Sequence, residues 1–114
     1  MPDREDAIRL RHMLDAVHKA IAFVQGRKRA DLENDEKLML ALVRLLEIIG
    51  EAARGVSSDV RERYPQIAWK DIIGTRDRLI HGYFDVDLDI VWQIVRVDLP
   101  KLEDELVKIV SPER

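Results

Sequence analysis

Residues 74–84 carry the side chains of this sequence that are best suited to acid–base and phosphate chemistry. Eight consecutive positions hold an arginine, an aspartate, a histidine and a tyrosine: Arg76, Asp77, His81 and Tyr83. Histidine exchanges protons near neutral pH, whereas arginine stays charged and offers phosphate oxygens a planar set of donors. A group that moves protons and a group that stabilises charge on phosphorus together suit cleavage of a phosphodiester without a metal ion.

Helical spacing decides which of these side chains can meet. Residues four apart share a helix face, so a helix through this stretch predicts that Asp77 lies beside His81. Arg76 and Tyr83 share another face, although Gly82 weakens the helix between them. Arg76 and His81 point about 140° apart, and one straight helix does not bring both onto a small group. A bend near Gly82, the reach of the arginine or a second copy of the segment must supply the convergence.

A purely structural interpretation of the same residues stays open. Arg76 and Arg78 fit surface cations, and His81 fits the end of a helix, where the dipole favours a positive charge. His12 and His18 are six apart and fall on different helix faces, so they predict no metal site. The chain has no cysteine and no glycine-rich phosphate loop. We therefore expect neither a metal ion nor a cofactor.

Composition predicts one helical domain over residues 1–114. Hydrophobic residues make up 46% of the chain and charged residues 36%, a balance typical of folded helical proteins. The first residues lack the apolar segment of a signal peptide, and no apolar run approaches the roughly 20 residues that cross a bilayer. We expect a cytoplasmic protein with no membrane contact. The net charge of −3 gives no overall attraction to nucleic acid, so an RNA site must be a local basic patch.

Apolar stripes with helical spacing predict an all-α fold, an up-and-down bundle of four main helices that positions this stretch. Asp3 is a candidate N-cap of the first helix, and Gly26 fits a left-handed cap after it. The second helix begins after Asn34 or Asp35. Its Gly50 costs about 1 kcal/mol relative to alanine, and a close approach of another helix is the simplest reason to retain it. One charged line on this helix is interpreted as a solvated face with local ion pairs: Arg44, Glu47, Glu51 and Arg54.

The second half of the chain predicts a short helix and then two long ones. The short helix ends near Pro65, because the residue before a proline resists helical geometry. The third main helix begins near Ala68 or Trp69 and ends around His81. The last helix follows an N-cap at Asp87. Proline inside this helix removes a backbone donor, so the chain must kink or split near Asp98, just before Pro100.

Arg76, four intervening residues and then His81-Gly82-Tyr83 resemble the R-X4-H-X-Y signature of the HepT toxins, which belong to the HEPN superfamily. A bare R-X4-H pattern is weak, but three flanking blocks make the match specific. They are Ile-Ile-Gly-Glu-Ala-Ala at 48–53, Ile-Ala-Trp-Lys-Asp-Ile-Ile-Gly at 67–74 and Asp-Leu-Asp-Ile-Val-Trp at 87–92. The resemblance extends from the first helix to Pro100.

The resemblance implies a helical homodimer in which two copies of the motif line a cleft that cuts RNA without a metal. Arg76 would stabilise the phosphate, and His81 would transfer protons to or from the ribose 2′-hydroxyl. Asp77 would orient His81, although its charge stands beside RNA. The resemblance also implies a partner, an MNT-type nucleotidyltransferase antitoxin that attaches AMP to Tyr83. The added negative charge and bulk would repel RNA and occupy Arg76.

Two other interpretations compete with this hypothesis. The chain would fit a non-catalytic subunit that holds substrate for a minimal nucleotidyltransferase, or a dimerisation bundle whose motif is inert. A separate structural interpretation of Tyr83 is that of a packing aromatic next to Phe84. Cleavage of RNA by the purified chain in the presence of a chelator distinguishes an enzyme from both.

Overall fold

The computed structural model describes residues 3–81 and 85–110, and the prediction made for Tyr83 lies outside these ranges. The helices in chain order are α1 (Arg4–Phe23), α2 (Asp31–Asn34), α3 (Glu36–Arg54), α4 (Ser58–Arg63), α5 (Trp69–Ile73), α6 (Thr75–Leu79), α7 (Leu88–Gln93) and α8 (Leu99–Ile109). Two short strands, β1 (Ile80–His81) and β2 (Asp85–Val86), pair antiparallel between α6 and α7. The predicted all-α fold is confirmed. Within these ranges, no helix combines the length and apolar character that crossing a bilayer requires.

The core lies where α1 packs against α3 and α8. The apolar faces of these helices supply most of it. Large side chains that are fully buried include Leu10, Met13, Leu42, Leu46 and Leu106. The N-caps predicted for the first two long helices are confirmed, because Asp3 accepts from Asp6 N and Asp35 accepts from Leu38 N.

A buried carboxylate ties the start of α1 to the start of α4. The side chain of Asp6 accepts hydrogen bonds of 2.8 Å from both Ser57 N and Ser57 Oγ. Ser57 in turn caps α4 by accepting from Val60 N. A contact across 51 residues leaves no local signal in the sequence.

Pro100 widens the last helix rather than splitting it. The predicted irregularity near Asp98 takes the form of a π-helical turn over Ile94–Asp98, in which Leu99 N donates to Ile94 O five residues back. A proline removes one helical hydrogen bond and presses its ring on the carbonyl four residues earlier. The wider turn relieves that crowding and lets α8 begin immediately, with Pro100 in its first turn.

The predicted third main helix is wrong in its length and continuity. Gly74 separates α5 from α6, each of five residues, and α6 ends at Leu79. The chain then becomes extended, so His81 lies in β1 rather than at the end of a helix. Asp87 N donates to Leu79 O at 2.7 Å, which satisfies one of the last carbonyls of α6.

The close approach predicted at Gly50 is confirmed. Gly50 is buried, and a Cβ added to it would lie 3.0 Å from the carbonyl oxygen of Ile72 and 3.7 Å from that of Ile73. Both oxygens belong to the backbone of α5, which has little freedom to retreat. The absence of a side chain at Gly50 therefore sets how near α5, and α6 behind it, lie to α3.

Substitution of Gly50 tests this contact. Alanine is favoured over glycine inside a helix by about 1 kcal/mol, whereas overpacking costs typically 1–3 kcal/mol. We expect Gly50→Ala to lower the free energy of unfolding, as measured by urea denaturation, because the neighbouring group is backbone. Lys37→Ala, at an exposed position of the same helix, is the control. Equal or greater stability of Gly50→Ala would contradict the close approach.

Asp35 gives a pH-dependent prediction. Its hydrogen bond from Leu38 N and its pairing with Arg27 lower the pKa of Asp35 below the ordinary value. A lowered pKa adds stability above the unfolded pKa of about 4, and this is lost as the pH falls through the folded pKa. Asp35→Asn keeps an N-cap but not the charge. We expect its melting temperature to lie below that of the wild type at pH 7 and to converge with it in acid. A deficit that is independent of pH would contradict this assignment.

Candidate active site

Arg76 opens onto a groove between α3 and the α5–α6 pair. The groove has a volume of about 570 Å³. Its lining residues are Arg44, Leu46, Glu47, Gly50, Glu51, Arg54, Lys70, Ile73, Gly74, Arg76 and Asp77. Four of these side chains are cationic and three anionic, so the groove carries one excess positive charge in a chain whose net charge is −3. It is therefore the kind of local basic feature that an RNA site in this chain requires, although a weak one.

Three contacts hold α6, and with it Arg76, against the bundle. Leu79 is completely buried, and Thr75 is also buried. The hydroxyl of Thr75 donates to Asp71 O at 3.0 Å, which joins α6 to α5 across the break at Gly74. A five-residue helix has little stability of its own, so these contacts with α5 and the core determine where Arg76 lies.

The charged line on α3 forms one wall of the groove. Arg44, Glu51 and Arg54 are exposed, as predicted, but Glu47 is half-buried. Glu47 Oε2 lies 3.8 Å from Arg76 Nη1, and Glu47 Oε1 lies 3.6 Å from Arg44 Nη1. Only the second ion pair, between residues three apart on one helix, follows from sequence spacing. The ion pair between Glu47 and Arg76 joins two helices, so only the fold reveals it.

His81 is exposed and extended, and it does not have the helical relation to Asp77 that the sequence predicted. That prediction is wrong because it needed α6 to continue four residues beyond Asp77, whereas α6 ends at Leu79. In the β1–β2 pair the residue opposite His81 is Asp85. Directly opposed residues on neighbouring antiparallel strands bring their Cβ atoms to about 5 Å. The carboxylate that neighbours His81 across the strands is therefore that of Asp85.

Asp77 lies beside Arg76 instead. It is exposed on α6 and lines the same groove, and its backbone N–H donates to Gly74 O at 3.1 Å. Its carboxylate therefore adds negative charge to the groove that Arg76 enters. Gly82, Tyr83 and Phe84 lie outside the described residues, so the relation of Tyr83 to Arg76 stays a prediction.

The other histidines lie away from this groove. His18 Nε2 lies 3.1 Å from Glu103 Oε2 in a contact between α1 and α8, and His12 is exposed on α1. Across residues 3–81 and 85–110, no three histidine, aspartate or glutamate side chains are grouped so that they would hold a metal ion.

A second, smaller cavity of about 230 Å³ borders α6 through Thr75 and Arg78. Its walls are mostly apolar and come from α3, α5 and the last helix, with Ile49, Ile72 and Leu102 among them. Gln66 and Glu105 also line this cavity, and the side-chain amide of Gln66 donates a hydrogen bond of 3.1 Å to Glu105 Oε1. Arg78 therefore borders an apolar cavity, whereas Arg76 enters the charged groove.

Comparison with known proteins gives a consistent match. Residues 13–109 match the family model described as "Ribonuclease HepT-like". A Methanocaldococcus jannaschii protein named "Putative RNase" is 36% identical over 111 residues, which cover 97% of this chain and 92% of the relative. A Caldanaerobacter subterraneus protein with the same description is 38% identical over 105 residues, covering 92% and 94%. A Thermococcus cleftensis protein named "Probable ribonuclease HepT" is 35% identical over 100 residues, covering 84% and 91%. No solved structure matches the chain.

Proposed function

The chain belongs to the HepT-like ribonuclease family, and on that premise we propose that it is a toxin that cuts RNA without a metal ion. The cut takes place at a cleft between two copies of the chain. The observation that carries this proposal is the position of Arg76, whose guanidinium enters a groove with an excess of positive charge. His81 is exposed on the strand that directly follows the same helix.

The reaction needs one proton acceptor, one proton donor and a cation. In the proposed mechanism, His81 accepts the proton of the ribose 2′-hydroxyl, and the 2′-oxygen attacks the adjacent phosphorus. The bond from phosphorus to the 5′-oxygen breaks, and that oxygen takes up a proton from the His81 of the second copy, which begins the step protonated. The products are a 2′,3′-cyclic phosphate and a 5′-hydroxyl. Arg76 stabilises the charge that develops on the phosphoryl oxygens.

In the proposed dimer, a second copy of the chain brings an arginine and a histidine to the same phosphate, which one copy alone does not do. Arg76 stands on α6 and lines the groove, whereas His81 stands on a strand outside the set of residues that line it. We propose that two motif copies face each other, so that arginine and histidine reach one phosphate. Asp77 belongs to this site as the polar neighbour of Arg76. Analytical ultracentrifugation at micromolar concentration is expected to give twice the mass of one chain, and a monomer alone would contradict the shared cleft.

Tyr83, the last residue of the motif, is the proposed site of regulation. A partner nucleotidyltransferase of the MNT type catalyses attack of the Tyr83 phenol oxygen on the α-phosphorus of ATP. The phenol proton is lost, and pyrophosphate leaves. The attached AMP places a negative charge two positions from Asp85 and seven from Arg76 in the chain, where it competes with RNA for the arginine.

Replacement of the two motif residues tests the nuclease. We expect the purified chain to cut RNA in EDTA, and Arg76→Ala to lower kcat about 10²- to 10³-fold, as loss of a charge-stabilising donor does. His81→Ala is expected to lower kcat by about 10²- to 10⁴-fold. Gel assays and mass spectrometry of the product ends measure both the rate and the cyclic phosphate.

Two substitutions at exposed positions provide matched controls: Arg63→Ala on α4 and His12→Ala on α1. Both are expected to retain wild-type cleavage. Undiminished cleavage by His81→Ala would overturn the proposed mechanism. An inactive wild-type chain that still binds and stimulates a nucleotidyltransferase would favour the alternative of a non-catalytic subunit.

Modification of Tyr83 is tested separately. Incubation with the partner and ATP is expected to add AMP to Tyr83, as located by peptide mass spectrometry, and to abolish RNA cleavage. Tyr83→Phe should stay active under the same conditions, because it lacks the attacking oxygen, whereas Tyr64→Phe should be silenced like the wild type. Silencing without modification of Tyr83 would contradict the assignment.

A further inference from the structure

The carboxylate of Glu47 lies between two guanidinium groups that come from different elements. One is that of Arg44, on the same helix, and the other is that of Arg76, on α6. The side chain of Glu47 is 25% exposed, compared with 70% for Arg44 and 58% for Arg76. Glu47 is therefore the least exposed member of this group, and it lies on the 19-residue helix α3.

The contact between Glu47 and Arg76 depends on Gly50. The missing side chain at Gly50 lets α5 approach α3, and α6 continues from α5 through Gly74. Gly50 and Glu47 are three apart and lie on neighbouring parts of one helix surface, so the same approach brings Arg76 within range of Glu47. The contact is thus a consequence of how two elements pack and not of local helical spacing.

The charges of this group leave Arg76 able to bind an anion. One carboxylate between two guanidinium groups neutralises only half of their charge, so one net positive charge remains. The separations of 3.6 and 3.8 Å correspond to ion pairs rather than hydrogen bonds. Glu47 therefore attracts the Arg76 guanidinium toward the α3 wall while the planar donors of that guanidinium stay suited to phosphate oxygens.

We propose that Glu47 is a positioning residue for Arg76, and that Arg44 is the counter-charge that keeps the pair from becoming neutral. This inference rests on the proposed function. Glu47 does not contact RNA; it restricts where a long and flexible arginine side chain lies when RNA arrives. Arg44 acts on Arg76 indirectly, because it pairs with the same carboxylate. The structural alternative is that Glu47 is one more surface ion pair of little consequence.

Kinetics distinguish the two roles. Glu47→Ala is expected to lower kcat by about 10- to 100-fold with a smaller change in KM, because a misplaced catalytic group loses rate. Glu47→Gln, which keeps an oxygen at the same place, should recover part of the loss. Arg44→Ala should instead raise KM several-fold and affect kcat less, because Glu47 then neutralises Arg76 fully. In an Arg76→Ala background, Glu47→Ala should cause no further loss.

The matched control is Glu33→Ala, which removes a carboxylate from another ion pair with an arginine, Arg29, four residues before it. It is expected to keep wild-type kcat and KM. Wild-type kcat in Glu47→Ala, or an equal additional loss in the Arg76→Ala background, would overturn the positioning role.

A readout that does not depend on RNA cleavage separates this inference from the proposed function. The Nε–H signal of Arg76 in ¹⁵N NMR reports the order of its guanidinium, and we expect that order to fall in Glu47→Ala but not in Glu33→Ala. Unchanged order in Glu47→Ala would overturn the inference even if the chain cuts RNA. A wild type that cuts no RNA but loses Arg76 order in Glu47→Ala would reject the nuclease and leave the positioning contact established.

Discussion

The close packing of α5 against α3 at Gly50 is the constraint on which the candidate site depends. A helix interior normally gains from alanine, so a glycine there needs a compensating contact. Here the compensation is the nearness of two backbones, with the Ile72 carbonyl oxygen of α5 only 3.0 Å from the position that a methyl carbon would take. Because α6 follows α5 after a single residue, Gly50 indirectly fixes the height of Arg76 above α3. The close packing at Gly50 and the ion pair between Glu47 and Arg76 therefore both result from the way in which α5 packs on α3.

Two helix ends give the site its character. Gly74 ends α5 and opens α6, which aims Arg76 into the groove, and the end of α6 at Leu79 turns the chain into an extended strand before His81. The histidine is thereby taken off the helix face of Asp77 and placed opposite Asp85. A positive charge and an imidazole that are five residues apart in sequence thus occupy different kinds of secondary structure. This separation agrees with a site that is completed by a second copy of the chain.

Sequence periodicity was sufficient for the long helices and insufficient for the short ones. The stripes of α1 and α3 repeat over five turns, so their buried faces and their caps at Asp3 and Asp35 were predicted correctly. Residues 69–81 have too few turns for a period to be measured, and the break at Gly74 and the end at Leu79 were missed. The Asp6–Ser57 and Glu47–Arg76 contacts are long-range and polar, and neither leaves a periodic trace. The residues of the motif were found by their types and spacing, whereas their mutual arrangement required the fold.

The π-helical turn over Ile94–Asp98 restricts insertions and deletions in this part of the chain. Such a turn holds one residue more than an α-turn over nearly the same rise, and one residue corresponds to a rotation of about 100° around the axis. The extra residue thus sets the phase with which Leu102 and Leu106 of α8 enter the core. A single deletion here that restored a regular helix would swing that apolar stripe toward water. Insertions and deletions are accordingly better accommodated at the connections between helices. At this turn the number of residues is restricted as well as their type.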